Sequence, residues 1–164
     1  MTFPGAGRDT PIEPRQAAPD FTLPAVDGDG SELNVTLSAE AAKGRVLLVF
    51  YEDDGMPICT SELRAFAQEH DLLISAGVRV FGINTNGMGS HARFQERDHF
   101  PFPLVSDFNG DAVRAFGLWN EEERKSRRAV VVLGPDMRAL HVQPHFNPGN
   151  LAGFTEVFAA LGLV

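Results

Sequence analysis

The chain has 164 residues, 43% hydrophobic and 22% charged, the balance of an ordinary globular protein long enough to bury one core without staples, which excludes disordered, collagen-like and fibrous classes. Lys and Arg number 14 against 22 Asp and Glu, a formal net charge of −8, the wrong sign for tracking a phosphate backbone, so no nucleic-acid partner is expected. The longest apolar run, Val46 to Tyr51, is six residues, far below the roughly 20 of a membrane-spanning helix, and the single cysteine, Cys59, excludes an internal disulfide framework and any zinc site built on two thiolates.

In chain order, residues 1–17 carry Pro4, Gly5, Gly7, Pro11 and Pro14 with little periodicity and read as an extended or flexible arm ahead of one domain over 18–164. The arm has neither the basic start nor the apolar stretch of a secretory signal, so the expected compartment is the cytoplasm. Phe21-Thr22-Leu23 and Leu33 to Leu37 flank Asp27-Gly28-Asp29-Gly30, a β-hairpin pattern. Arg45 to Tyr51, Val78 to Ile83 and Ala129 to Leu133 are continuous β-branched and aromatic runs, as strands buried on both faces require. Between the first two lies Thr60 to Ser75, with Leu63, Phe66, Ala67 and Leu73 near helical spacing, a crossover that returns the chain parallel. Helices are predicted over His91 to His99 and Asp111 to Phe116, and a further strand over Arg138 to His145. A last helix is capped by Asn150, with Phe154, Val157, Phe158 and Leu161 on one apolar face. The predicted order is β-β-β-α-β-α-α-β-β-α, an α/β fold with a central mixed sheet flanked by helices and an N-terminal hairpin.

Cys59 follows the loop Glu52-Asp53-Asp54-Gly55-Met56-Pro57-Ile58, where the first long strand ends and a helix begins. Free N–H groups and the positive end of a helix dipole stabilise a thiolate there, so a depressed pKa and a nucleophilic sulfur are expected. The alternative is an inert core thiol, since cysteine is among the most buried residues. Other patterns carry less. His141 and His145 lack a carboxylate at matching spacing and read as ordinary polar positions, with no metal expected. His91, beside Ser90, and His70 read as structural. Asp27-x-Asp29-x-Ser31 fails as a calcium loop because Glu32 stands at the glycine position, and Gly87-x-Gly89 lacks the third glycine of a dinucleotide loop. Phe100, Phe102 and Phe108 read as core or subunit-contact residues.

Several stretches in order, Ala18-Pro19-Asp20-Phe21, Phe50-Tyr51 through Pro57-Ile58-Cys59-Thr60-Ser61-Glu62, Ser90-His91-x-x-Phe94, Phe102 to Asp107, Phe116-Gly117-Leu118-Trp119 and Arg128 to Leu133, resemble the peroxiredoxins of the alkyl hydroperoxide reductase and thiol-specific antioxidant type. The single cysteine and compact length are most similar to bacterioferritin-comigratory-type one-cysteine members. The resemblance implies a thioredoxin-like fold and a thiol peroxidase without a cofactor, in which Cys59 attacks a hydroperoxide and becomes a sulfenic acid. It implies that Arg128 holds the thiolate, with Arg127 the competitor for that place, and that Glu62 serves either to orient the arginine or to cap the helix.

Two positions depart from the family's Pro-x-x-x-Thr/Ser-x-x-Cys pattern: Glu52 stands in the proline place and Met56 in the hydroxyl place. A thioether donates no hydrogen bond, and an ionised Glu52 opposes thiolate formation. Losing one preorganised donor costs roughly 10²–10³ in rate. The expected pocket is therefore Glu52, Met56, Pro57, Thr60 and Glu62 around Cys59 and Arg128. With no second cysteine, the reductant is an external thiol, whether thioredoxin, glutaredoxin or a small thiol, and the protein is expected as a monomer or homodimer. The alternative function is a catalytically degenerate relative acting as a redox sensor or binding module. A thioredoxin-type reductase is disfavoured because Cys59 has no Cys-x-x-Cys partner.

Overall fold

A computed structural model describes residues 6–164. The elements are β1 (Thr22–Val26), β2 (Glu32–Thr36), α1 (Leu37–Ala41), β3 (Arg45–Phe50), α2 (Pro57–Gln68), α3 (His70–Ser75), β4 (Val78–Asn84), α4 (Met88–Asp98), β5 (Leu104–Ser106), α5 (Asp111–Ala115), β6 (Trp119–Asn120), β7 (Lys125–Ser126), β8 (Ala129–Leu133), β9 (Ala139–Gln143) and α6 (Leu151–Ala160). Seven strands form one sheet in the order β2-β1-β5-β4-β3-β8-β9, and β6 and β7 make a separate small hairpin. β3, β4 and β5 run parallel, while β8 pairs antiparallel with β3, and β1 antiparallel with β5. The mixed α/β sandwich and the hairpin at the sheet edge agree with the sequence reading.

The three long apolar runs occupy the sheet centre because helices cover both faces. Val46, Leu48 and Phe50 of β3 face a core shared with Phe21, Phe116 and Ile12. The alternate residues Leu47 and Val49, with Tyr51, face α2, α3, α4 and α6 together with Cys59, Leu63, Phe66 and Phe158. This alternation, with side chains successively on opposite faces, places Cys59 on the second face.

Two local expectations are corrected, and three short strands add to the predicted order. The helix predicted over Thr60 to Ser75 is two helices, broken at Glu69, whose backbone (φ −101°, ψ 12°) leaves the helical region. The second hairpin strand stops at Thr36, and α1 begins at Leu37. β5, wedged after Pro101 and Pro103, is only three residues long, and β6 and β7 are two each; such short pairings leave no periodicity to read. Asn150 caps α6 as expected, its side-chain oxygen accepting the Ala152 N–H.

The segment from Arg8 to Ala18 is laid along the body by backbone hydrogen bonds. Arg8 N–H donates to the Arg114 carbonyl, Ile12 N–H to Phe116, Arg15 N–H to Ala139 and Ala18 N–H to Met137. Ile12 is buried. Gly117 makes the close approach possible: it sits at φ +75°, and a Cβ there would lie 2.1 Å from the Thr10 carbonyl oxygen. No helix among the described residues is long and apolar enough to cross a membrane.

Candidate active site

β3 delivers the chain to the loop from Tyr51 to Met56, and α2 starts at Pro57. Met56 is the N-cap, in extended conformation (φ −63°, ψ 128°), and Pro57 fills the first helical position, where a missing N–H leaves no donor unsatisfied. Cys59 therefore lies in the first turn of α2. Its sulfur is fully buried and accepts the Glu52 backbone N–H at 3.4 Å, while the thiol points at Met56 Sδ, 3.8 Å away. Pro57 is exposed. Thr60 directs its hydroxyl to the Met56 carbonyl at 3.1 Å, so it supplies no donor to the sulfur.

Arg128, just ahead of β8, forms an ion pair through Nη1 with Glu52 Oε1. Glu62, one turn further along α2, is fully buried, and neither of its carboxylate oxygens has a hydrogen-bond partner among the described residues. Burial pushes the Glu62 carboxyl well above the usual range, opposed by Arg128 and reinforced by Glu52.

These surroundings correct the expected depressed thiol pKa. Burial pushes the Cys59 thiol up to about 11; hydrogen bonds from the Asp53 and Glu52 backbone pull it down, and the charges of Glu62 and Glu52 push it further up. The helix terminus and backbone amides are present, as the sequence implies, but removal from water outweighs them. The carboxylate repulsion expected from Glu52 is among the causes, and the same Glu52 engages the guanidinium of Arg128.

A network not anticipated from the sequence pins the loop. Asp54 Oδ1 accepts from the Tyr51 hydroxyl at 2.6 Å and from Asn84 Nδ2 at 3.2 Å. Asp54 Oδ2 accepts from the Ser90 hydroxyl and faces His91 Nδ1, each at 2.7 Å. His91 Nε2 donates to the Val105 carbonyl at 3.0 Å, and the Asp54 N–H donates to Asn86 Oδ1 at 2.7 Å. Burial alone would raise the Asp54 pKa, but hydrogen bonds from His91, Tyr51 and Ser90 outweigh it and hold the carboxyl below its usual range. On the other side of the loop, Lys125 Nζ reaches Asp53 Oδ2 at 2.5 Å, so Lys125 leaves the solvated acidic turn that precedes it. The available signals were the acidic pair Asp53-Asp54 after a core strand and the Ser90-His91 pair opening a helix.

Arg127 and Arg128 both line a cavity of about 220 Å³ with Glu52, His145 and Phe146. The Nε atoms of both arginines are buried without a hydrogen-bond partner among the described residues. Glu52 and Met56 contact Cys59 and the charge of Glu62 reaches it, Arg128 joins the group through its ion pair with Glu52, and His145, read as an ordinary polar position, stands at the cavity wall. His141 lies apart, against Gln143 at 3.1 Å. Phe100 and Phe102 belong to the core, whereas Phe108 is 74% exposed.

The AhpC/TSA family pattern matches residues 14–141. A putative peroxiredoxin bcp of Coxiella burnetii is 34% identical over 118 residues, covering 71% of this chain and 74% of the relative. Peroxiredoxin Bcp of Escherichia coli is 31% identical over 146 residues, covering 85% and 90%. Among solved structures, peroxidoxin BcpB of Mycobacterium tuberculosis superposes with a TM-score of 0.79 at 25% identity, covering 93% of this chain and 98% of that one. Matched over residues 14–141 by the family pattern and by relatives more than 30% identical, the chain belongs to the AhpC/TSA family, the peroxiredoxins.

Proposed function

We propose that this chain is a thiol-dependent peroxidase that reduces hydrogen peroxide or organic hydroperoxides through Cys59. The observation that carries the reading is the position of the sulfur: in the first turn of α2, accepting the N–H of Glu52, a residue that also lines a cavity with Arg127 and Arg128. The Cys59 thiolate attacks the distal peroxide oxygen, the O–O bond breaks, water or an alcohol leaves, and Cys59 becomes a sulfenic acid. Arg128 stabilises the thiolate and the departing oxygen once it turns from Glu52, a task suited to a permanently charged planar donor. Glu52 and Met56 shape the pocket, Pro57 and Thr60 fix the helix start, and Glu62 acts on Arg128 through its charge. An external thiol, thioredoxin, glutaredoxin or a small thiol of the cytoplasm, reduces the product, because the chain has one cysteine.

Mass spectrometry after one equivalent of hydrogen peroxide tests the reading. One or two added oxygens at Cys59, or a Met56 sulfoxide that is lost in Cys59→Ser, support it; an unmodified protein refutes it. The thiol pushed up to about 11 and the Glu52–Arg128 pair favour a second reading, a degenerate relative that senses oxidant slowly or binds a partner. The second-order rate of Cys59 oxidation separates the two, with Met56→Thr alongside: a fast parent that the added hydroxyl does not improve rules out the degenerate reading.

A further inference from the structure

Met56 brings a second sulfur into contact with Cys59. The Sγ to Sδ separation is 3.8 Å, with the thiol aimed at the thioether. Cys59 is sealed from solvent, whereas Met56 is only half-buried and packs against the same core. A thioether is a weak hydrogen-bond acceptor but a good oxygen acceptor, and its sulfoxide is a stable, enzymatically reversible product. The chain holds no second cysteine to attack a Cys59 sulfenic acid, so the nearest reduced sulfur is that of Met56.

We propose that Met56 is the resolving residue of this site, taking from Cys59 the oxygen that a hydroperoxide leaves there. The proposal rests on the thiol-peroxidase reading, since oxygen arrives by this route only if Cys59 accepts it first. In the transfer the Sγ–O bond breaks and an Sδ–O bond forms. The proton of the sulfenic hydroxyl ends on Cys59, which regains its thiol. The cysteine sulfur is reduced by two electrons and the methionine sulfur oxidised by two, so hydroperoxide and thioether become alcohol or water and sulfoxide, with no other reactant. The Glu52 N–H, 3.4 Å from Sγ, stabilises the sulfur as it leaves with the electron pair. Met56 sulfoxide is then restored by a methionine sulfoxide reductase, which finds the residue half-exposed at the start of α2. Where Met56 takes the oxygen the external reductant acts on Met56, and a sulfenic acid that stays on Cys59 is left to the external thiol.

The experiment treats the full chain and its Cys59→Ser variant with one equivalent of hydrogen peroxide, in the presence and absence of a carbon nucleophile that traps sulfenic acids, and maps oxygen on Cys59, Met56, Met88 and Met137. The last two are also half-buried and report direct oxidation. The expected result is sulfoxide at Met56 well above Met88 and Met137 in the parent, falling to their level in Cys59→Ser and when the trap is present. Equal Met56 sulfoxide in Cys59→Ser overturns the proposal, because the thioether then reacts on its own. A trapped Cys59 sulfenic acid whose capture leaves Met56 oxidation unchanged, or one that forms while Met56 stays reduced, overturns it and leaves the peroxidase reading standing. Oxygen on neither residue overturns both. In Met56→Leu the Cys59 sulfenic acid should persist longer than in the parent; an unchanged lifetime also sinks the proposal.

Discussion

Glu52→Gln should accelerate oxidation of Cys59 about tenfold at pH 7. A thiol titrating at about 11 is ionised in about one molecule in 10⁴ at that pH, against a few per cent for an ordinary cysteine near 8.5. Glutamine keeps the side-chain size and the backbone N–H on Sγ, removes the carboxylate that repels the thiolate, and releases Arg128 from its ion pair. An opposite charge freed near an ionising group is worth about 1–3 pKa units. Burial, the largest cause of the raised value, is untouched, so the lower end applies: about one unit, ~1.4 kcal/mol, tenfold more thiolate. Loss of free thiol with hydrogen peroxide, followed by stopped flow, gives the rate, and alkylation against pH gives the midpoint. A rate no faster than the parent's, with an unmoved midpoint and an unchanged circular dichroism spectrum, would refute the electrostatic account.

In the parent, the alkylation rate of Cys59 should climb about tenfold per pH unit from neutrality and level off only near the raised value of about 11; a plateau below pH 8 contradicts it. Glu62→Gln should stabilise the protein at pH 8, and less at pH 4. The folded-state pKa of Glu62 lies above its unfolded value, so its contribution is whole below the unfolded value and lost as pH rises. Thermal denaturation at the two pH values measures the difference. His91→Ala should destabilise the protein by about 1–3 kcal/mol in urea, the cost of leaving Asp54 and the buried Val105 carbonyl each short of a hydrogen-bond partner. Asp54 contributes the opposite pH dependence, stability present above its unfolded pKa and lost as pH falls through its depressed folded value.

What could be read from the residues divides along physical lines. β3, β4 and β8 were legible because burial on both faces leaves uninterrupted apolar runs, and the strand-to-helix corner at Cys59 followed from where one run stops. The break at Glu69 was not, because Leu63, Phe66 and Leu73 keep helical spacing across it while the backbone departs for a single residue. The choice between Arg127 and Arg128 could not be made from strand alternation; in the structure it is Arg128 that meets Glu52, 76 residues away in sequence. The sign of the Cys59 shift was missed for a related reason. Local features that stabilise a thiolate, an N-terminal turn and main-chain amides, are written near Cys59, whereas its removal from water depends on packing by β3, α2 and α6, and that packing exists only once the sheet is assembled.

The strap from Arg8 to Ala18 has a consequence for biogenesis. Its acceptors, the carbonyls of Arg114, Phe116, Met137 and Ala139, are made long after it. At about 5–20 residues per second, the ribosome needs some 5–20 seconds between adding Ile12 and adding the stretch that receives it. Throughout that interval Ile12 has no seat, and the face it covers, with Phe21 and Phe116, stays open.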